Sequence, residues 1–462
     1  MSETETEPQT EAKDEDAYAL DGGLVAGVRL AISAGDAERL AELFEPLHPA
    51  DIADLLEQLD QGRRRELLLL AADQIDGDVL SEIDESIRDE VVEFLPNEVV
   101  AEAVRDLESD DVVDLIEGLE DEQAEVVLDA LEDADRAAVE AALALPEDSA
   151  GRLMQREVVA APEHWNVGQA IDYMRGHDDL PDQFYHVILV DPRHRPTGYV
   201  MLGKLMASPR TRPLKDITED SFRTIPVTQD EGEVAYAFNQ YHLISAPVVD
   251  EDDRLVGVIT IDDAMIILDE EHEEDILRLA GVGDESLASS PLEIMRRRFP
   301  WLFVNLITAI LASLVIALFE DVIAVLVALA VLMPIVASMG GNAGTQSLTV
   351  AVRALATKDL TGSNAWRVVR REVIAGLLSG LVFAVLMGGI GAAWFGLPML
   401  GVVIGAAMVI NLVVAALAGI LVPLGLDKLG IDPALASGAF VTTVTDVVGF
   451  FAFLGLASAF LL

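Results

Sequence analysis

The stretch VTTVTDVVGF, residues 441–450, places one acid, Asp446, in the last apolar segment of a chain that is almost wholly apolar from residue 299 to 462. A charge at the centre of a membrane helix costs about 2.5–3.5 kcal/mol on the translocon scale, so an acid kept there is expected to serve a function. On a helix, Thr442, Thr443 and Gly449 stand at i−4, i−3 and i+3 from Asp446 and give it a small, polar face. Such a face suits a cation path. The bland alternative is an acid near a helix end, reaching the headgroup region. Asp446 lies about 10 Å into a helix that starts near residue 439, too deep for that alternative to be attractive.

Working outward, five apolar segments are long enough or nearly long enough to cross a bilayer: 301–318, 322–339, 373–394, 399–422 and 439–461. Arg296, Arg297 and Arg298 precede the first, Arg353, Lys358, Arg367, Arg370 and Arg371 follow the second, and Lys428 follows the fourth. The turns at 320–321 and 396–398 hold no basic residue. The positive-inside rule then puts the N-terminus in the cytoplasm and the C-terminus outside, the parity that five spans require. The second segment runs into MPIVASMGGNAGTQ, residues 333–346, and its Pro334, Gly340, Gly341 and Gly344 read as an interruption. Broken helices at membrane depth mark ion sites, because only protein or water can satisfy their backbone. A plain helix end is the alternative. Asn305, Thr308 and Asn411 read as interhelical hydrogen-bonding groups rather than ligands.

The chain has 462 residues, 30 Lys and Arg, 80 Asp and Glu, and a net charge of −50. From residue 292 onward there are 9 basic and 8 acidic residues, so the preceding portion carries a net −51. Only five basic residues are Lys, which favours solvation in a salt-rich cytoplasm, a halophilic source, over cation collection as the reason for most of this charge. With no Cys, disulfides, thiolate metal sites and cysteine catalysis are excluded. No nucleophile–base pair or P-loop is present, so an enzyme is the least expected class, and no nucleic-acid partner is expected. Residues 1–22 read as a disordered acidic tail without a signal peptide.

Residues 23–145 show a helical pattern in short units, with Leu107, Leu119 and Leu131 ending successive segments at a spacing of twelve. No such unit buries an apolar face alone, and stacking into an α-superhelix solves this. LHPADIADLLEQL at 47–59 and LPNEVVAEAVRDL at 95–107 look alike, with Pro at the first turn. In residues 146–261, HVILVDPRHRPTGYVM and SAPVVDEDDRLVGVIT align without a gap at an offset of 59. Each reads as strand, turn, strand, helix, and the pair resembles tandem CBS domains, a resemblance that EDSAGRLM at 147–154 strengthens. Such modules often hold adenine nucleotides through a Thr and an Asp three residues apart. Thr260 and Asp263 match in the second copy, whereas the first has Met201 and Lys204, so ATP is expected at one half at most.

Residues 262–290 read as an acidic connecting helix and linker. Glu271, Glu274 and Asp275 share one face, and like charges at that spacing cost about 0.2–0.5 kcal/mol per pair on an isolated helix, so something cationic is expected to offset them. Residues 291–462 complete the architecture: an all-α superhelical domain, an α/β CBS pair, a long connecting helix and an α-helical membrane domain of five spans.

Taken together, PIVASMGGNAGTQS, RALATKDL at 353–360 and DPALASGAFVTTVTDVVG at 432–449 resemble the MgtE family of magnesium channels over nearly the whole chain. Ala439 stands where that family commonly has Pro. The resemblance implies a homodimer in the bilayer, a pore at the subunit interface with Asp446 of each subunit facing it, and Asn342 with adjoining glycines such as Gly344 helping to line the path beside Thr442, Thr443 and Gly449. It also implies that the connecting helix acts as a plug, with Mg²⁺ held among the cytoplasmic domains by Glu271, Glu274, Asp275 and Asp263. Competing readings are a carrier for another divalent ion such as Co²⁺, and a membrane-anchored sensor without transport.

Overall fold

The computed structural model describes residues 20–461 apart from 106, 120, 178–179, 182, 220–221, 283–290 and 435–436. Most of the acidic tail and of the linker GVGDESLASS lies outside the described residues. The chain divides into two units, residues 1–267 and 268–462.

In the first unit, helices begin at Ala37, Pro49, Gln61, Glu85, Asn97, Ser109, Asp121 and Asp133, and a 3₁₀ turn at Ala72–Gln74 fills the gap in that twelve-residue series. The spacing seen at Leu107, Leu119 and Leu131 runs further than the sequence suggested. Leu59, Ala71, Ile83 and Leu95 are buried in one continuous core, with Leu47, Leu107, Leu119, Leu131 and Leu143 packed against it. Each helix is too short to be stable alone, and packing on its neighbours stabilises it. Capping sets the helix starts: Asp36, Asp60, Asp76 and Asp84 accept first-turn amides, and His48 and Asp51 form a capping box around Pro49. Pro96, by contrast, sits one place before its helix as the N-cap. At helix ends, the buried Arg64 donates to the Leu56 and Leu59 carbonyls, and the buried Arg88 to that of Ile83. These contacts satisfy acceptors that the helices leave open.

The α/β pair repeats its geometry as closely as its sequence. β1 (Ala160–Pro162), β2 (His186–Val190) and β3 (Pro196–Met201) form one sheet in that order, and β4 (Ile225–Pro226), β5 (Ser245–Val249) and β6 (Leu255–Thr260) form the other. In both, the first pairing is parallel and the second antiparallel, with a bulge at Leu189/Val190 and at Val248/Val249. His194 and Asp253, 59 residues apart, take left-handed backbone at φ 64° and 62°, and Asp191 and Asp250 close the two turns onto backbone amides.

Among the described residues, the second unit holds five helices long and apolar enough to cross a membrane: Pro291–Ala317, Ala328–Ala356, Ala365–Phe395, Pro398–Asp427 and Ser437–Phe460. The fourth is the central one, packed by the second, third and fifth, while the first packs on the fifth. Small residues let the third and fourth spans approach backbone to backbone. A Cβ on Gly376 would lie 2.8 Å from the Leu412 carbonyl oxygen, and one on Gly405 3.1 Å from that of Ala384.

One expectation is corrected here. The second span is continuous through Pro334 and the glycines, and the break falls earlier, at 326–327, after a short helix Glu320–Val325. A proline removes one amide, a local loss the helix absorbs. The glycines have no water to turn to in the bilayer, so they keep their helical hydrogen bonds. Their missing side chains serve packing instead.

Candidate ion path and cation-sensing acids

Asp446 stands nine residues into the fifth span, about 14 Å from its start at 1.5 Å per residue. Its side chain is half-buried and forms no hydrogen bond or ion pair with another described residue. The hydroxyls around it are already committed as donors. Thr442 donates to the Gly438 carbonyl at 2.5 Å, Thr443 to that of Ala439, and Thr445 to that of Thr442 at 2.9 Å. Thr442 and Thr443 therefore offer lone pairs beside the carboxylate, and this face accepts hydrogen bonds without donating any.

The second span packs on the fifth. A Cβ on Gly341 would lie 3.5 Å from Thr442 Cγ2. Along another face of the second span, Ser338, Asn342, Thr345, Gln346 and Thr349 are exposed, a polar stripe at helical spacing in an otherwise apolar span. Thr345 and Thr349 also donate to their own helix, at 3.1 and 3.0 Å.

Two proposed lining residues are corrected. Gly344 is buried against Val441, and Gly449 against Asn411, whose amide nitrogen lies 2.7 Å from where a Cβ on Gly449 would be. Both are buried in this packing, which leaves little of either to face an ion. Asn411, fully buried, donates from Nδ2 to the Val336 carbonyl at 2.9 Å and also fills the space left by Gly340. It joins the second, fourth and fifth spans, which is the interhelical role its sequence suggested. Gly449→Val is expected to push the fifth span off Asn411, at an overpacking cost of about 1–3 kcal/mol. Lower thermal stability and reduced transport should follow, with Gly449→Ala milder. Identical melting of wild type and both variants would refute this packing role.

The acidic helix spans Ile261–Ala280. Its offsetting cation is, at least in part, internal. Arg278 bonds Glu274 at 2.6 Å and reaches Asp432, in the turn before the fifth span, at 3.0 Å. Burial, then the nearby Asp432 charge, raises the Asp275 carboxyl above its ordinary range. Glu271 is exposed on the same helix.

A second acidic cluster escaped the sequence reading. Along the helix Ser109–Glu117, Asp114 pairs with Arg88 at 2.9 Å, Glu117 pairs with Arg152, and Glu108 accepts from Gln155 at 2.7 Å. Asp110 and Asp111 differ. The charged groups that act most strongly on them are all acids, chief among them Asp263. Burial, then the Asp263 charge, holds Asp110 well above the ordinary carboxyl range and raises Asp111 to about 7. Burial raises Asp263 as well. The signal available in the sequence was SDDVVD at 109–114, but in so acidic a chain it had nothing to distinguish it.

Among the described residues, no three acids converge closely enough to hold one metal ion directly. A hydrated cation, bound through its waters, remains compatible with the cluster, and Mg²⁺ characteristically keeps several waters. At the nucleotide-type position, the Thr260 amide and hydroxyl both donate to Asp263, the hydroxyl at 2.5 Å, so a phosphate would have to displace that carboxylate. In the first copy, Lys204 is paired with Glu219 at 3.0 Å.

Comparison with known proteins agrees with this architecture. The MgtE model, described as a divalent cation transporter, matches residues 333–456, the MgtE intracellular N domain matches 47–148, and CBS domains match 150–209 and 214–270. The magnesium transporter MgtE of Enterococcus faecalis is 36% identical over 423 residues, covering 91% of this chain and 93% of its own. That of Thermus thermophilus is 34% identical over 441 residues, covering 94% and 98%. A solved cytosolic domain of the Mg²⁺ channel MgtE, in complex with ATP, is 29% identical, with a TM-score of 0.48, over 53% of this chain and 99% of that one. With the MgtE N domain, the CBS domains and the MgtE model matched in turn along the chain, and with such identity over nearly its full length, the chain belongs to the MgtE family of divalent cation transporters.

Proposed function

We propose that the chain admits Mg²⁺ to the cytoplasm down its electrochemical gradient, along a path at Asp446 completed by a second copy of the chain. We propose further that cytoplasmic Mg²⁺ closes this path by binding among the acids of the cytoplasmic portion. The observation that carries the reading is Asp446 on a face that only accepts hydrogen bonds. Mg²⁺ sheds water reluctantly, and every water of its shell points hydrogens outward. A carboxylate flanked by acceptor-only hydroxyls matches that shell, and one Asp from each subunit balances the divalent charge. Asn342 and the polar stripe of the second span are the other groups suited to a wet path, since a polar stripe facing lipid would be costly. A potential of ~100 mV, inside negative, favours entry of two charges by about 4.6 kcal/mol, so no ATP hydrolysis is required.

The basic residues flanking the spans support a cytoplasmic N-terminus and an external C-terminus. Closure follows from charge. Asp110, Asp111 and Asp263 crowd like charges that protons or a cation must offset, and Glu271, Glu274 and Asp275 form the second acidic set on the connecting helix. A nucleotide at Thr260 would displace Asp263 and so disturb the first set, which gives ATP a route to modulate closure. A Co²⁺ carrier is less favoured, because no Cys or membrane His supplies softer ligands. A sensor without transport leaves Asp446 and the polar stripe without a role.

Proteoliposomes test the whole reading. Mg²⁺ uptake should fall when millimolar Mg²⁺ is placed on the face bearing the soluble domains, and Glu271→Ala with Glu274→Ala should keep it high. Absence of wild-type uptake under any Mg²⁺ condition would refute transport, and normal closure in the double variant would refute its sensing role.

A further inference from the structure

At the end of the membrane unit that carries its basic residues, a cavity of about 320 Å³ opens between the loop joining the second and third spans and the end of the fourth. Its wall combines two kinds of side chain. Leu355, Leu360 and Leu424 supply its apolar lining, and Lys358, Lys428, Thr361 and Asp427 its polar lining. Leu360 and Leu424 are buried, so the apolar part is a packed surface continuous with the spans.

Three features say what such a cavity takes. The first is depth: Trp366, in the first turn of the third span, is 78% exposed, and an exposed Trp at a helix end marks the headgroup level of a bilayer. The second is charge. Lys428 forms no ion pair with a described residue, two lysines face one acid in the lining, and Arg367 and Arg370 are exposed one and two turns away. The third is backbone. Lys358 occupies the left-handed region at φ 55°, just past the end of the second span, where glycine is the usual choice. The loop is held in that shape by its own bonds: the Leu360 amide donates to the Ala354 carbonyl at 2.6 Å, and Asn364 Nδ2 to the Asp359 carbonyl at 2.7 Å. A lysine kept at a glycine position, over a cavity with a greasy wall at headgroup depth, fits a ligand that is anionic at one end and apolar at the other.

We propose that this cavity binds the phosphate headgroup of an anionic membrane lipid, with Lys358, Lys428 and the Thr361 hydroxyl on the phosphate and Leu355, Leu360 and Leu424 against the start of the acyl chains. Basic pockets between spans on the cytoplasmic side are a general means of lipid-headgroup recognition. The proposal rests on this end of the unit being the cytoplasmic membrane interface. It does not depend on Asp446 or on ion flux.

Native mass spectrometry of the delipidated full-length protein tests it, with phosphatidylglycerol and phosphatidylcholine added in turn. Wild type is expected to retain phosphatidylglycerol about tenfold better than phosphatidylcholine, and Lys358→Gln with Lys428→Gln to lose that preference while melting as wild type does. Arg367→Gln with Arg370→Gln, on the surface outside the cavity, is expected to keep most of it. Equal retention of the two lipids by wild type, or an unchanged preference in the lysine variant, would overturn the proposal. So would an equal loss in the arginine variant, which would assign the effect to general surface charge. Displacement of the bound lipid by millimolar inorganic phosphate, with no dependence on the acyl chains, would assign the cavity to a free phosphate and overturn the lipid assignment. Should the lysine variant misfold, Lys428→Gln alone provides the reading, with at least a threefold loss expected.

Discussion

Asp446→Asn is expected to lower Mg²⁺ uptake into proteoliposomes by at least tenfold, with insertion and thermal stability close to wild type. Asn is nearly the same size as Asp, so the packing of the second, fourth and fifth spans is kept. What disappears is the charge. Hydrogen bonds to a charged group contribute about 1.5–3 kcal/mol, against about 0.5–1.5 for neutral ones. At about 1.4 kcal/mol per factor of ten, losing charge assistance in both copies of the proposed two-copy path gives one to two decades. The amide also brings an N–H donor to a face that otherwise only accepts, and a donor repels a water shell whose hydrogens point outward. Asp446→Glu should retain part of the flux, because it keeps the charge but moves it. Wild-type uptake by the Asn variant would remove Asp446 from the path.

The second large effect concerns the cluster missed in the sequence. Asp110→Asn with Asp111→Asn is expected to raise the melting temperature of the Mg²⁺-free protein and to abolish most of the further rise that millimolar Mg²⁺ brings. In the wild type, Asp110 and Asp111 face Asp263, with Glu108, Asp114 and Asp262 also near, a repulsion that the proposed cation would offset. The variant removes the repulsion itself. One kcal/mol shifts the melting temperature of a unit of 150–250 residues by about 2–4 °C, so the change should be measurable.

The pH dependence has a definite sign. Asp111 is raised from 3.8 to about 7 in the folded protein, so below 3.8 its contribution to stability is fully present, and it is lost as pH rises through about 7. Between those values the folded state binds more protons than the unfolded one. Mg²⁺-free stability should therefore fall from pH 6 to pH 8, while the gain on adding Mg²⁺ should grow, since the cation replaces the lost protons. The double Asn variant should flatten both trends. A variant with the wild-type Mg²⁺ response would show that the cluster is not where the cation acts.

Much of the molecule was legible in its residues because the signals are periodic or costly. A twelve-residue spacing specified stacked short helices, and an offset of 59 specified a duplicated α/β module whose turns and bulges then agreed residue by residue. Apolar length gave the five spans. The glycine-rich stretch misled, because glycine is chosen both where a helix breaks and where two helices must touch. Composition cannot separate those uses, and the neighbours can: Asn411 against Gly340 and Gly449, and Val441 against Gly344.

The sequence by itself determined the class of the protein and its most informative residue. A carboxylate inside an apolar span is expensive wherever the span packs, so Asp446 stood out as the candidate before any fold was known. Only the tertiary structure decided what surrounds each of the remaining acids. In a chain with 80 of them, a carboxylate becomes informative through what surrounds it. Asp114 and Glu117 have arginines, Glu274 has Arg278, and Asp110 and Asp111 have other acids. Electrostatic energy depends on distance and burial, and folding sets both.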